Sequence, residues 1–182
     1  MKLKEEQLIE ACKENKRQAR NELYKLYSKK LLGICLRYTR NLSEAEDVLH
    51  DAFIKIFTKI DQYSGKGSFE GWLKRITANT AIQYLRNRAK NDARFSAREV
   101  ESINVAEDDD AMPAIPAKEL MKMIQNLPDG YRMIFNMFVF EEMSHKEIAD
   151  VLQINENTSK SQFHRAKLSL RKMVNEYLKS NI

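Results

Sequence analysis

From Ser144 to Met173 the chain reads SHKEIADVLQINENTSKSQFHRAKLSLRKM, and this stretch constrains the fold more than any other. Ser144 and Glu147 stand three apart, the spacing of a capping box, so a short helix starts at His145. Ile148, Ala149 and Leu152 give it one apolar face. Gln153 to Glu156 break that period, and Asn155 or Asn157 can cap a second helix reaching about Leu178. Phe163, Ala166, Leu170, Met173, Val174 and Tyr177 recur at three- and four-residue steps and should face a core. Lys160, Ser161, His164 and Arg165 fall on a different face near the helix start. This is the pattern of a helix-turn-helix, whose second helix uses its N-terminal part to reach base edges in a major groove. Between Asn157 and Asn175 there are five Lys or Arg and no acid. An ordinary core helix with a solvated basic face has a similar composition; the short helix and turn before it favour DNA.

The chain has 182 residues and a formal net charge of +5. Asn91 to Lys118 holds seven acids and three bases, net −4, which leaves +9 on the rest. The basic character therefore lies outside the middle and suits a polyanionic partner. Cys12 and Cys35 have neither metal-ligand nor CxxC spacing, and Cys35 fits a small core residue in a reducing cytoplasm. No signal peptide opens the chain, and no apolar run is long enough to span a membrane, so the expected location is cytoplasmic.

Five Gly, three Pro and helical period in most windows predict an all-α fold. Two small helical domains are expected, joined by a flexible acidic linker, with the helix-turn-helix in the C-terminal one. The boundaries are 1–91, 92–116 and 117–182. In the first domain, helices are expected around Lys4–Glu14 and Ala19–Tyr38, followed by a turn at Asn41–Ser43 with Ser43 as cap and Glu46 at its third helical position. The next helix has an unbroken stripe: Ala45, Val48, Leu49, Ala52, Phe53, Ile56, Phe57 and Ile60. Opposite lie Glu46, Asp47, His50, Asp51, Ile54 and Lys55. Asp61–Ser68 reads as a loop, and a further helix runs from Phe69 past Arg86. The segment Asp92–Pro116 has no sustained period and carries the acidic cluster. In the second domain one helix ends before Leu127-Pro128-Asp129-Gly130, and another spans about Tyr131 to Glu141.

A second acid-free basic stretch runs from Gly71 to Asn91, with Lys74, Arg75, Arg86, Arg88 and Lys90. Phe69, Trp72 and Tyr84 are interleaved, and Tyr63 stands in the loop before. Single strands are held this way, with bases stacked on rings and phosphates met by charge. Trp72, Leu73 and Ile76 at helical spacing fit a core face as well as a stacking platform.

Phe69-Glu-Gly-Trp-Leu-Lys-Arg75, followed by Asn79 and Tyr84-Leu-Arg86, resembles the segment by which bacterial sigma factors read the promoter −10 element. Glu44-Ala-Glu-Asp-Val-Leu-His-Asp-Ala-Phe53 resembles their helix for gripping core RNA polymerase. Leu127-Pro128, Arg132, Glu147-Ile-Ala149, Thr158-Ser-Lys-Ser161 and Arg165-Ala166 resemble the domain that reads −35. In order and spacing the three are similar to the extracytoplasmic-function (ECF) group of the sigma-70 family.

The resemblance implies roles. Glu46, Asp47, His50, Asp51 and Ile54 would contact the β′ clamp of core polymerase, which is also bound through its β subunit. Tyr63, Lys66, Phe69, Trp72, Lys74, Arg75, Asn79 and Arg86 would melt the −10 element and hold its single strand, with an extruded base in the loop Asp61–Ser68. Thr158, Lys160, Ser161, His164, Arg165 and Lys167 would read duplex −35 DNA. The acidic linker would thread the polymerase towards its active site and RNA exit channel. An anti-sigma factor, in this group often membrane-bound, would be a further partner.

Three positions depart from the family's usual residues: His50 where Gln is common, Gln83 where Asp is common, and Asn157 where Gly is common. Asparagine tolerates unusual backbone angles, so the turn is expected to survive. His50, His145 and His164 lie on separate predicted elements and make no metal set, and no nucleophile elbow or P-loop is present. Neither a cofactor nor catalysis by the chain itself is expected. A conventional dimeric repressor would use the helix-turn-helix but leaves the aromatic-basic segment and the acidic linker unexplained.

Overall fold

The computed structural model describes residues 5–91 and 115–180, all of whose regular elements are helical. Most of the expected acidic linker thus lies outside the described residues. The chain divides into two units, Met1–Tyr84 and Leu85–Ile182.

The first unit holds α1 (Glu5–Lys13), α2 (Arg17–Tyr38), α3 (Leu42–Lys59), a 3-10 turn (Ile60–Gln62) and most of α4 (Phe69–Asn91). Asn15, at φ 60°, turns the chain from α1 into α2. Thr39 ends α2: its backbone N–H and its hydroxyl both donate to the Cys35 carbonyl, at 3.1 and 3.0 Å. The cap of α3 is Asn41, not Ser43. Asn41 accepts from the Glu44 N–H at 2.9 Å, and the Glu44 carboxylate reaches back to the Arg40 N–H at 3.1 Å. The pair Asn41/Glu44 has the same three-residue spacing as Ser43/Glu46 and lies closer to the end of α2, so it captures the turn first.

The α3 stripe is buried from Ala45 to Ile60, except for half-buried Phe57, and α3 packs on α2. Each large apolar side chain so buried contributes about 1.5–3 kcal/mol. The expected loop from Asp61 begins as the 3-10 turn, so only residues 63–68 are irregular. α4 buries Phe69, Leu73, Ala78, Ala81, Ile82 and Leu85. Its buried Thr77 and Thr80 donate to Leu73 and Ile76 carbonyls of their own helix, which makes their burial tolerable. Cys12 and Cys35 are buried free thiols, and burial pushes the Cys35 thiol up to about 12.

The second unit holds α5 (Ala117–Asn126), α6 (Asp129–Val139), α7 (His145–Leu152) and α8 (Glu156–Ser180). Met123, Ile124, Leu127 and Tyr131 close over Ala166, Leu170 and Val174 of α8. α6 starts at Asp129, two residues before the expected Tyr131, directly after Pro128 as its N-cap. It ends at Val139 rather than Glu141. Arg132 is fully buried: it donates to the Gln125 carbonyl at 2.6 Å and pairs with Asp129 at 2.5 Å, tying α6 to the end of α5.

Candidate nucleic-acid interface

Ser144 and Glu147 form the expected capping box. The Ser144 N–H donates to Glu147 Oε2 at 2.8 Å, and the Glu147 N–H donates to Ser144 Oγ at 3.3 Å. The hydrogen bonds from Ser144 hold the Glu147 carboxyl below the usual carboxylate range. α7 ends at Gln153, which takes the left-handed conformation at φ 56°, ψ 46°. This corrects the expectation for Asn157: the strained turn position is Gln153, and Asn157 already lies in the first turn of α8. Asn155 precedes that helix and accepts from the Asn157 N–H at 2.8 Å.

On α8, Ala166, Leu170 and Val174 are buried, and Phe163, Met173 and Tyr177 half-buried. At about 100° per residue, Lys160, Ser161, His164 and Lys167 share an arc of about 120° on the other side, with Arg165 at its edge. All four are exposed, while Arg165 and Thr158 are half-buried. Lys160 meets Glu156 one turn earlier at 2.7 Å, so a phosphate or base must compete with that carboxylate. The Lys167 ammonium stands 5.3 Å from the centre of the Phe163 ring.

The second face starts in the loop before α4. Gly65 and Gly67 take φ of 76° and 83°, and the Tyr63 hydroxyl donates to the Gly67 carbonyl at 2.8 Å. Ser68 caps α4 by accepting from the Gly71 N–H at 3.0 Å. A Cβ on Gly71 would come within 2.9 Å of that Ser68 oxygen. Tyr63, Phe69 and Trp72 form one aromatic group: Tyr63 to Phe69 at 5.0 Å, Tyr63 to Trp72 at 5.6 Å, and Phe69 stacked with Trp72 at 5.8 Å.

Within that group Phe69 is a support and not a contact surface. It is 1% exposed and meets Tyr27 of α2 edge-on at 6.0 Å. Helical spacing could not separate it from Trp72, three residues on. Tyr63 and Trp72 are half-buried, which leaves each ring partly accessible. Trp72, Arg75, Asn79, Gln83 and Arg86 fall within an arc of about 80° on α4, so the structure brings together most of the expected strand-binding set. Arg75 and Asn79 are exposed, Arg86 is half-buried, and Lys66 is exposed in the loop.

Lys74 does not join them. It lies about 100° away and meets Glu70 at 2.8 Å. The other oxygen of Glu70 takes Lys30 of α2 at 2.7 Å. Hydrogen bonds from Lys30 and Lys74 hold the Glu70 carboxyl at about 2. Ser68, Gly71 and Tyr27 were missed by sequence reasoning; of these only Ser68, directly before a helix start, carried a local signal.

On α3, Glu46, Asp47, His50, Asp51 and Ile54 are all exposed on one side. Ile54 is 49% exposed, with Asp47, His50 and Asp51 one to two turns before it on the same side of α3. Among the described residues no His, Cys, Asp and Glu cluster could hold a metal ion, and no helix is long and apolar enough to cross a membrane.

Comparison with known proteins matches both units. Residues 23–91 match the family model of sigma-70 region 2, and residues 117–170 that of sigma-70 region 4. The RNA polymerase sigma-H factor of Pseudomonas aeruginosa is 30% identical, over 96% of this chain and 96% of its own length. The ECF RNA polymerase sigma factor SigW of Bacillus subtilis is 30% identical, over 92% of this chain and 95% of its own. Among solved structures, the sigma factor RpoE of Bartonella quintana, crystallised with the anti-sigma factor NepR, shares the fold with a TM-score of 0.51 and 18% identity; the match covers 85% of this chain and 96% of that one. This chain belongs to the ECF RNA polymerase sigma factors of the sigma-70 family and is a transcription initiation factor.

Proposed function

We propose that this protein binds core RNA polymerase through the exposed side of α3, holds the melted −10 strand on the loop and outer arc of α4, and reads duplex −35 DNA with the start of α8. The carrying observation is the aromatic-basic group Tyr63, Trp72, Arg75 and Asn79, on a unit separate from the helix-turn-helix. Duplex readout needs only the second of these surfaces. Rings beside a basic arc suit unstacked bases, where each stacked base contributes about 1–3 kcal/mol.

On α3, an exposed isoleucine on an acidic-polar side suits a protein contact better than a nucleic-acid one, because Glu46, Asp47 and Asp51 would repel phosphate. The chain supplies recognition, and RNA synthesis stays with the polymerase, so the protein is not itself an enzyme. An anti-sigma factor covering the DNA-reading faces completes the set of partners, and a cytoplasmic location follows from that of the polymerase.

The test is run-off transcription on pooled promoter fragments with core polymerase, with and without the protein. Discrete transcripts that require the protein are expected. Their absence, alongside specific duplex binding by the protein alone, would make it a conventional regulator.

A further inference from the structure

The start of α7 carries a polar-aromatic clamp that the assigned roles do not use. His145, the first residue of α7, shares a hydrogen bond between its Nδ1 and the Ser159 hydroxyl of α8 at 2.9 Å. Its ring stacks on Phe138 of α6 at 4.6 Å and 22°, and meets Phe163 of α8 edge-on at 5.6 Å. Phe138 and Phe163 are themselves 4.4 Å apart. One imidazole on α7 thus touches both α6 and α8. Ser159 is fully buried and immediately precedes Lys160. Burial pushes the His145 imidazole below its ordinary range, and the Lys160 charge adds to this.

Packed apolar side chains hold the helices together and limit their rolling, but without a directional bond to one position on α8. A hydrogen bond from a fixed ring to one hydroxyl on α8 is directional. Ser159 lies about 100° behind Lys160 around α8, and His164 about 40° ahead of it. At a radius of about 5–6 Å, a roll of about 10° would carry side-chain tips about 1 Å sideways. Base-edge hydrogen bonds do not survive displacements much larger than that.

Resting on the −35 reading above, we propose that His145 is a positioning residue for promoter recognition. Through Ser159 it sets the roll of α8, and so the register in which Lys160, His164 and Arg165 meet the bases. It touches no DNA in this role.

The experiment compares His145→Phe, which keeps a stacking ring, Ser159→Ala, which removes only the hydroxyl, and the double variant. The readout is the ratio of run-off transcript from a promoter with an intact −35 element to one with that element scrambled. Each single variant should lower this ratio by about 3- to 10-fold, the worth of one hydrogen bond. The double variant should be no worse than the poorer single, because the two residues share one bond. Discrimination at the −10 element and far-ultraviolet circular dichroism should not change. If His145→Phe fails to fold, Ser159→Ala decides alone.

An unchanged −35 ratio in the folded variants, or equal losses at both elements, overturns the proposal. Lys160→Ala and Arg165→Ala serve as controls. If they too leave the −35 ratio unchanged, the assignment of α8 to DNA falls, and the proposal falls with it.

Discussion

The two helices proposed to face DNA are built in different ways. α8 keeps its core contacts on one side and presents Lys160, Ser161, His164 and Lys167 from the other, so a single amphipathic helix offers both an anchor and a basic face. α4 buries one side and exposes Arg75, Asn79 and Gln83 on the arc that carries Trp72, and its aromatic surface needs the preceding loop to supply Tyr63. Duplex DNA admits a whole helix into its groove, and one polar face suffices. Unstacked bases need rings held at a fixed place, which a lone helix face does not supply.

The largest expected effect tests that contrast within one aromatic group. Phe69→Ala should destabilise the first unit by about 3–5 kcal/mol, because a buried ring leaves a cavity. Trp72→Ala should cost clearly less stability, yet abolish capture of the melted strand, followed by permanganate reactivity of unpaired thymines. Urea unfolding of both variants separates support from surface. Equal stability losses would remove the distinction between them.

Why the contrast is uneven in the sequence follows from where the interactions lie. The capping box Ser144/Glu147, the α3 stripe and the basic face of α8 are set by residues three and four apart, and all were legible. The cap at Asn41 was missed because two adjacent Ser/Asn–Glu pairs satisfy the same spacing, and only the end of α2 decides between them. Lys74 looked like its neighbour Arg75 on composition, although consecutive helical residues point about 100° apart and Lys74 pairs with Glu70 one turn back. Phe69 and Trp72 differ in role through Tyr27, a contact more than forty residues away in sequence. The contacts of His145 were not legible, since Phe138 and Ser159 are separate from it in the chain.

A second prediction asks whether the first unit carries two independent faces. Asp47→Arg should weaken binding to core polymerase by about tenfold, on the order of 1.4 kcal/mol, while circular dichroism stays native. Fluorescence anisotropy against core polymerase measures it, and wild-type affinity would take Asp47 out of that face.

The smallest effect concerns the frame of the second unit. Ser144→Ala removes the hydroxyl that accepts the Glu147 N–H and should cost about 1 kcal/mol of stability. A thermal melt at pH 7 reads it, and no loss would mean that packing alone sets the start of α7.

The central claim is that two separate surfaces read two promoter elements. The direct measurement is run-off transcription with core polymerase in a grid of variants and promoters: Arg165→Ala and the pair Arg75→Ala/Asn79→Ala, each on templates altered at −35 or at −10. Arg165→Ala should flatten discrimination at −35 only, by about 1–3 kcal/mol if its guanidinium meets a guanine. The α4 pair should flatten discrimination at −10 only. Crossed effects, or losses that ignore which element is altered, would contradict the account.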